Sequence, residues 1–418
     1  MTRILDPEVR PGDGLTMGPE DEHAGLGYTE LSHRELLRRA KEDADARGLN
    51  DVLIVDADFH QTEGQDWKEI LSYVDNDVIS HLLRTSGAGK PWFPGSPTSS
   101  GIQEMSGRIR PTPAFNAERR ANPQPATHAL AEAAEMMSAD YVLLFPQQLL
   151  GLGRTAFLEL EVHVARAYVR WLTEHVLAVD SRVIAPIYLP FSDPDACVEL
   201  VEQYGDAPGI VAATTVTNRY EATQDRRYMK LYATLQERDL PLLFHAGIRY
   251  GVQSQSMFNR FISVHGIGFP YFVMVHATNW IVNGLPERFP GLKIAFVEGG
   301  LAWLPFLMQR LDHMAMMRSS EVPLLKKLPS EYLRDFWYTT QPLEATNVRE
   351  LKATLDFINA PDKLMWASDW PHWDWDPPSR VWDLPFLDED TRRGILGGNA
   401  AKLFKLDERL DHVASVPS

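Results

Sequence analysis

Eight short apolar runs recur along this chain, and segments with helical patterns separate most of them. Residues 156–176, "AFLELEVHVARAYVRWLTEHV", are one such amphipathic segment. Buried strands that alternate with helices indicate a parallel sheet, because each parallel connection needs a crossover. The predicted strands, numbered 1 to 8 in chain order, cover residues 51–58, 140–146, 182–190, 209–216, 240–247, 292–300, 335–340 and 363–372.

Eight strands in this alternation predict an α/β fold of the (β/α)8 barrel type. A doubly wound open sheet is the alternative, but no glycine-rich phosphate loop follows the first strand. The run "LGLGR" near Gly151 resembles such a loop only weakly and has the wrong flanks. The pattern therefore favours the barrel.

The barrel does not account for the whole chain. We expect residues 1–49 to form an N-terminal arm followed by a helix, since Ser32 and Glu35 have capping-box spacing and Gly48 can end the helix. Residues 50–405 form the predicted barrel domain, with a loop or lid between Thr85 and Pro125 that is rich in Gly, Pro and Ser. Residues 406–418 are the predicted C-terminal tail.

Charge and composition exclude several classes of function. The chain carries 41 basic and 57 acidic residues, so its net charge is −16, which argues against a protein that binds nucleic acid. The single cysteine, Cys197, excludes an internal disulfide and a thiolate metal cluster. No apolar run approaches the thickness of a bilayer, and the N-terminus lacks the apolar core of a signal peptide. We therefore expect a soluble, cytoplasmic protein without membrane contacts.

Acidic residues and histidines collect at the ends of four of the predicted strands. In a barrel of this type the carboxyl ends of all strands meet at one rim, where active sites lie. A buried carboxylate needs a partner, and alternate residues of a strand point to the same side. We therefore expect a shared metal site from Asp58, His60 and Glu63 after strand 1, His245 after strand 5, Glu298 after strand 6, and Asp369 and His372 after strand 8.

Each of these residues also has a simpler interpretation. Asp58 could cap a turn, His60 could be an ordinary loop histidine, and His245 could be a hydrogen-bonded core histidine. Asp56, two residues before Asp58, is interpreted as structural. Because the candidates occur together at strand ends, we favour the metal site over these separate explanations.

Four motifs carry a resemblance to a known superfamily: "DADFHQTE" on strand 1, "FHAG" on strand 5, "ERFPGLKIAFVEGGLAWLPFLMQRLD" around strand 6 and "LMWASDWPH" on strand 8. Over about residues 50 to 405 the chain resembles the amidohydrolase superfamily. It is most similar to the branch that holds the aminocarboxymuconate-semialdehyde decarboxylase-like enzymes. The resemblance implies a distorted TIM barrel of the metal-dependent hydrolase type. It also implies a divalent metal ion bound by Asp58, His60, His245 and Asp369.

The chain departs from the better-known decarboxylases of this branch. Glu298 stands where many of them have a histidine, and Glu63 has no role in a site with one metal. His276, on the helix before strand 6, and His372 are further candidate ligands. Alternatively, His276 is a hydrogen-bonded helix histidine, and His372 supports the site or contacts the substrate. Four carboxylates and four histidines are too many for one ion, so we expect two divalent ions. Iron or manganese is favoured and zinc is the alternative.

The same departures suggest a reaction. The Asp-x-His-x-x-Glu opening, Glu298 and the Ser-Asp-x-Pro-His ending resemble a minor set of oxygenases on this fold, which includes the dinuclear subunit of 2-aminoisobutyrate hydroxylase. We therefore expect an O2-activating hydroxylase of a small amino or carboxylic acid, with Asp369, Glu298 and His372 as catalytic residues. One alternative is a metal-dependent hydrolase or non-oxidative decarboxylase, with Asp369 as the proton shuttle. Another is a metal-binding partner subunit of a hetero-oligomer.

The expected partners follow from these alternatives. A small-molecule substrate and O2 are predicted, together with an oligomer that can include a homologous second subunit. Arg249 and Arg260, which follow strand 5, are candidates to bind a substrate carboxylate, because a guanidinium binds a carboxylate through two hydrogen bonds.

Overall fold

Eight parallel strands pair in chain order, from β1 to β8, in the computed structural model of this protein. They form the predicted TIM barrel, which confirms the fold class. The strands are β1 Val55–Gln61, β2 Tyr141–Pro146, β3 Val183–Tyr188, β4 Ile210–Val216, β5 Leu242–His245, β6 Ile294–Val297, β7 Trp337–Thr339 and β8 Leu364–Met365. The structure describes residues 33–61, 66–85, 126–155, 157–219, 221–247, 258, 261–372 and 374–406. Glu63, Arg249 and Arg260 lie outside these residues, as does the loop predicted between Thr85 and Pro125 except for Thr85 itself.

Helices connect consecutive strands, as parallel pairing requires. Between β1 and β2 lie α2 Trp67–Ile70, α3 Asp77–Thr85 and α4 Ala126–Met136. The next crossovers are α5 Leu158–Leu172, α6 Pro194–Tyr204 and α7 Met229–Glu237. Then follow α8 Phe261–Val282, α9 Leu285–Arg288, α10 Trp303–Met317, α11 Pro329–Asp335, α12 Val348–Phe357 and α13 Ala360–Lys363. After β8 come α14 Ser379–Trp382, α15 Glu389–Arg393 and α16 Asn399–Phe404.

The helix predicted before the barrel is also present, as α1 His33–Ala46. Leu36, Leu37, Ala40 and Ala44 are buried on one of its faces, at the spacing expected for an amphipathic helix. Gly48, which follows the helix, has a φ of 67°. This left-handed conformation is one that glycine adopts without steric cost, so Gly48 ends the helix as predicted.

Backbone hydrogen bonds close the barrel between its last and first strands. The amide of Ala57 donates to the carbonyl of Trp366 at 3.0 Å, and the amide of His60 donates to that of Trp370 at 2.7 Å. In the other direction, the amide of Asp369 donates to the carbonyl of Asp58 at 2.8 Å. The closure therefore runs through the two segments that carry the strand 1 and strand 8 site residues.

A bulge in β1 decides which of its side chains enter the barrel. The pairing of β1 with β2 shifts register between Asp56 and Phe59. Ala57 packs in the apolar cluster inside the barrel, whereas Phe59 packs in the cluster between strands and helices. A regular strand would give residues 57 and 59 the same side, and the extra residue of a bulge reverses this alternation. Asp58 and His60 consequently face the mouth of the barrel.

The interior cluster is closed at the end away from the site by α16. Leu403 and Phe404 of this helix pack with Leu243 and Trp337 of the barrel interior. The side-chain amide of Asn399 donates to the carbonyl of Leu364, the first residue of β8, at 2.7 Å. Among the described residues, no helix combines the length and the apolarity that crossing a membrane requires.

This packing predicts the effect of a truncation in α16. Phe404 is 1% exposed, so Phe404→Ala leaves a cavity at the base of the barrel and should lower the free energy of unfolding by about 3–5 kcal/mol. Phe357, which is 47% exposed, provides the matched control, and its alanine variant should cost less than about 1 kcal/mol. Urea denaturation followed by circular dichroism measures both values. Equal losses in the two variants would contradict the assignment of Phe404 to the core.

Candidate metal centre

Six of the eight predicted ligands lie together at the carboxyl ends of β1, β5, β6 and β8. They form two groups that share His60, and in each group one potential ligand atom per residue lies within 4.8 Å of the others. The first group is Asp58, His60, His245 and Glu298, and the second is His60, Asp369 and His372. A seventh candidate, Glu63, lies outside the described residues.

The backbone is strained at two of these carboxylates. Glu298 and Asp369 follow β6 and β8, and each has a φ of 59°. This left-handed conformation is uncommon for residues other than glycine and persists where neighbouring structure enforces it. The amide of Glu298 donates to Oγ1 of Thr339 at 3.0 Å, and the amide of Asp369 donates to the carbonyl of Asp58 at 2.8 Å. These bonds turn both side chains away from their strand directions and toward the site.

The close contacts pair carboxylate oxygens with imidazole nitrogens. Asp58 Oδ1 lies 3.2 Å from His60 Nε2 and 3.3 Å from His245 Nε2. Asp369 Oδ1 lies 3.0 Å from His60 Nε2 and 2.5 Å from His372 Nδ1. Glu298 Oε2 lies 3.5 Å from His245 Nδ1. Every carboxylate therefore touches at least one histidine, and His60 lies between two of them.

Hydrogen bonds fix the orientation of two of the histidines. His245 Nδ1 donates to the carbonyl of Ala246 at 2.7 Å, so in the neutral ring Nε2 carries the lone pair and faces Asp58. His372 Nε2 lies 2.5 Å from Oε1 of Gln147, which leaves Nδ1 toward Asp369. Such bonds to the far nitrogen are how proteins orient histidine ligands. Gln147 directly follows β2, but it is neither an acid nor a histidine and was therefore not among the predicted site residues.

The burial of the three carboxylates makes the site strongly negative. Asp58, Glu298 and Asp369 are at most 4% exposed. Burial, reinforced by Asp369 and Asp58, raises the pKa of Glu298 well above its ordinary value. Burial also favours the neutral form of His60, but the nearby Asp58 and Asp369 outweigh it and raise its pKa to about 10. Without a cation, protons therefore balance part of the negative charge.

Several ligand atoms have no hydrogen bond to the described residues despite being buried. They are Asp58 Oδ2, His60 Nδ1 and Asp369 Oδ2. Burying a polar atom without a hydrogen-bond partner is costly, so such atoms in a native protein are expected to contact a water molecule or an ion. Oxygen and imidazole donors without thiolate suit manganese, iron or zinc. The residues present therefore fit a divalent metal ion.

Asp56 has the structural role that the sequence suggested. Its Oδ1 accepts hydrogen bonds from the amides of Ser368, at 2.8 Å, and Asp58, at 3.2 Å. Burial raises the pKa of this carboxyl to about 8. Asp56 thus fastens the segment after β8 to β1 and keeps Asp58 and Asp369 at a fixed separation.

The structure places His276 apart from both groups. Its Nε2 lies 2.8 Å from the carbonyl of Thr217, and its Nδ1 lies 3.1 Å from the hydroxyl of Thr223. Both nitrogens are thus occupied by threonine oxygens, and neither is available to a metal. The interpretation of His276 as a ligand is replaced by the alternative, a hydrogen-bonded helix histidine.

A second histidine of the same helix, His265, lies near the site and was missed by the sequence reasoning. Its Nε2 is 3.7 Å from Oδ2 of Asp374, on the segment that follows His372. Burial lowers the pKa of His265 to about 4. His265 lies within a helix and away from any strand end, so nothing in the sequence predicted its place near the site.

Comparison with known proteins identifies relatives of this chain. An amidohydrolase family model matches residues 55–406. A curated gamma-resorcylate decarboxylase from a Polaromonas species is 28% identical over 255 residues, which make up 57% of this chain and 74% of that protein.

Solved structures share the architecture. A 5-carboxyvanillate decarboxylase from Sphingomonas paucimobilis superimposes with a TM-score of 0.63 at 20% identity, covering 85% of this chain and 99% of that one. A dihydroxybenzoic acid decarboxylase from Polaromonas, solved with bound manganese and the inhibitor 2-nitroresorcinol, gives a TM-score of 0.60 at 18% identity, covering 86% and 99%. At these identities the two structures show the fold alone.

The expectation of an oxygen-activating hydroxylase is wrong. Curated relatives of this chain are decarboxylases, among them gamma-resorcylate decarboxylases from Polaromonas, Rhizobium and Rhodococcus. The hydroxylase was inferred from the number of carboxylates and histidines and from the resemblance of three motifs to oxygenases on this fold. That number constrains how much positive charge the site can hold, but it does not report whether the reaction consumes oxygen.

The protonation of the site predicts a pH-dependent metal affinity. Below a pKa of about 10 His60 is protonated in the metal-free protein, and a metal ligand must be neutral, so Mn²⁺ binding should release at least one proton. The affinity should therefore rise about tenfold per pH unit for each proton released. Calorimetric titration with Mn²⁺ in buffers of different ionisation enthalpy measures the release. A His60→Gln variant should release fewer protons, and an affinity that does not change between about pH 6 and pH 8 would contradict the assignment.

Proposed function

We propose that this chain, which belongs to the amidohydrolase family, is a metal-dependent, non-oxidative decarboxylase of a small carboxylic acid. The observation that carries the proposal is the buried centre of carboxylates and histidines in a chain whose curated relatives are decarboxylases. The centre lies at the end of the barrel where enzymes of this architecture place their active sites.

The proposed cofactor is a pair of divalent ions, with manganese favoured. Asp58, His60, His245 and Asp369 would hold one ion, and the carboxylate of Glu298 would supply oxygen donors for a second. Support for two ions comes from charge: three ionised carboxylates contribute −3 and two divalent ions +4, which leaves +1 to attract a substrate carboxylate. Manganese is favoured because it is present in two of the solved decarboxylase structures.

The proposed substrate is an aromatic or similarly unsaturated acid. The named relatives act on gamma-resorcylate and carboxyvanillate, both aromatic acids. Phe145, inside the barrel, lies with its ring centroid 4.6 Å from that of His245 and 6.1 Å from that of His60. An apolar ring next to two of the ligand histidines suits a flat aromatic substrate whose carboxylate faces the metal centre.

The reaction breaks one carbon–carbon bond and forms one carbon–hydrogen bond. The carboxylate leaves as CO2, the bonding electron pair stays on the substrate carbon, and a proton replaces the lost group. A bound divalent ion would supply positive charge that fixes the substrate carboxyl group and stabilises the negative charge formed next to it. No oxidant or reductant enters this balance, so the reaction does not consume O2.

Asp369 is the proposed proton carrier. Its Oδ1 lies 2.5 Å from His372 Nδ1, so a proton can pass between the two side chains. His372 is held in place from its other nitrogen by Gln147, 2.5 Å away. Because Asp369 is buried and His372 is only partly exposed, the pair connects the interior of the site with its mouth.

Decarboxylation can be tested directly with the Mn²⁺-loaded protein. Under strict anaerobiosis, 2,6-dihydroxybenzoate and 5-carboxyvanillate are offered, and CO2 and the decarboxylated product should appear in equal amounts. In D2O the product should carry one deuterium at the carbon that lost the carboxylate. Asp369→Asn should lower kcat by about 10²- to 10⁴-fold, because the proton carrier is lost.

The matched control is Asp362→Asn, which changes an exposed carboxylate just before β8 and should keep full activity. Product formation that requires O2, or an Asp369→Asn variant as active as the control, would contradict the proposal.

A further inference from the structure

We infer that His276 is a positioning residue for the metal ligand His245, acting through the turn that follows β4. The inference rests on the proposed metal centre but not on the reaction assigned to it. His276 lies on α8, outside both ligand groups, and it reaches the centre through two successive hydrogen bonds.

The first link joins His276 to the β4 turn. Its Nε2 lies 2.8 Å from the carbonyl oxygen of Thr217, and because a carbonyl only accepts, Nε2 must carry the hydrogen. Nδ1 is then the acceptor for the hydroxyl of Thr223, 3.1 Å away. His276 is 4% exposed, so water does not compete for either bond. The imidazole therefore clamps the two ends of the turn between Thr217 and Thr223.

The second link joins this turn to the ligand. The amide of Thr217 donates to the carbonyl of His245 at 2.8 Å, which continues the pairing of Val216 with His245 in the barrel. The segment that follows β4 and the segment that follows β5 are also closely packed against each other. A methyl group added at Gly247 would lie 2.5 Å from Nδ2 of Asn218. A displacement of Thr217 must consequently move the backbone at His245.

The orientation of the His245 ring depends on that backbone. Its Nδ1 donates to the carbonyl of the next residue, Ala246, at 2.7 Å, and the amide of Ala246 donates to the carbonyl of Val297 at 2.8 Å. The shortest hydrogen bond that directs Nε2 toward Asp58 therefore comes from a main-chain group. Residues that hold this main chain in place therefore orient the His245 ring, as a direct hydrogen bond to the ring would. The orientation of a histidine ligand in turn affects metal affinity.

A ring contact couples the same two residues by packing. Phe244, immediately before His245, stacks on His276 with centroids 5.5 Å apart and planes 26° apart. This contact allows the hydrogen bonds to be separated from the packing. Phenylalanine at position 276 keeps the stacked ring and removes both bonds, whereas glutamine places an amide N–H near the position of Nε2.

The inference is tested by the Mn²⁺ affinity of the full-length protein, measured by electron paramagnetic resonance of free Mn²⁺. His276→Phe should bind Mn²⁺ about 10- to 100-fold more weakly than the wild type. His276→Gln should recover most of the loss, because it restores the donor to Thr217. Thr223→Val removes only the bond to Nδ1 and should weaken binding by a smaller factor, at least about threefold.

Tyr232→Phe is the matched control. The Tyr232 hydroxyl donates to the carbonyl of Thr223 at 2.5 Å, so the variant removes a buried bond from the same turn without touching Thr217. It should lower the thermal midpoint of the metal-free protein and leave Mn²⁺ affinity unchanged.

The outcomes separate the inference from the metal centre itself. A wild type that binds no Mn²⁺ would overturn the proposed centre. A wild type that binds, together with a folded His276→Phe that binds equally well, would overturn the role of His276. Equal losses of affinity in His276→Phe and Tyr232→Phe would also overturn it, since they would reflect general destabilisation. If His276→Phe does not fold, Thr223→Val decides, and an unchanged affinity in that variant would count against the inference.

Discussion

Three carboxylates buried within contact distance of shared histidines are the constraint around which this barrel is organised. Asp58, Glu298 and Asp369 come from strands far apart in sequence, and each has lost almost all of its contact with water. Burying such charges without partners is prohibitive, and two of them lie against the same histidine, His60. Either protons or cations must balance them, which gives the site both its affinity for metal and the dependence of that affinity on pH.

The fold holds these charges together by main-chain means. The same hydrogen bonds that close the barrel join Asp58 to Asp369, and Asp56 adds a side-chain bond across that closure. The bulge in β1 turns Asp58 inward, while left-handed backbone turns Glu298 and Asp369 inward from β6 and β8. The bulge in β1 and the strained backbone after β6 and β8 are thus maintained by the stability of the barrel, which is packed on both faces of its sheet.

The sequence supported the barrel and most of the site because both follow simple rules. Alternating strands and helices determine the parallel sheet, and its carboxyl ends bring Asp58, His245, Glu298 and Asp369 to one rim. The role inferred for His276 could not be predicted from the sequence, because the spacing of residues does not show which face of α8 contacts the turn after β4. The reaction was predicted wrongly from the ligand count and from the motif resemblance to oxygenases, since the type of ligand constrains the ion rather than the chemistry performed on a substrate. Glu63, Arg249 and Arg260 lie outside the described residues, and their roles stay predictions.

We infer that the strand-end residues of this one chain form a metal centre. Anomalous scattering at the manganese absorption edge, from crystals grown with Mn²⁺, tests it directly. We expect two neighbouring peaks among Asp58, His60, His245, Glu298, Asp369 and His372, with His276 still bonded to Thr217. A single peak there would keep the centre and remove the second ion. No peak at these residues, or manganese bound only elsewhere on the chain, would contradict a metal centre at the strand ends.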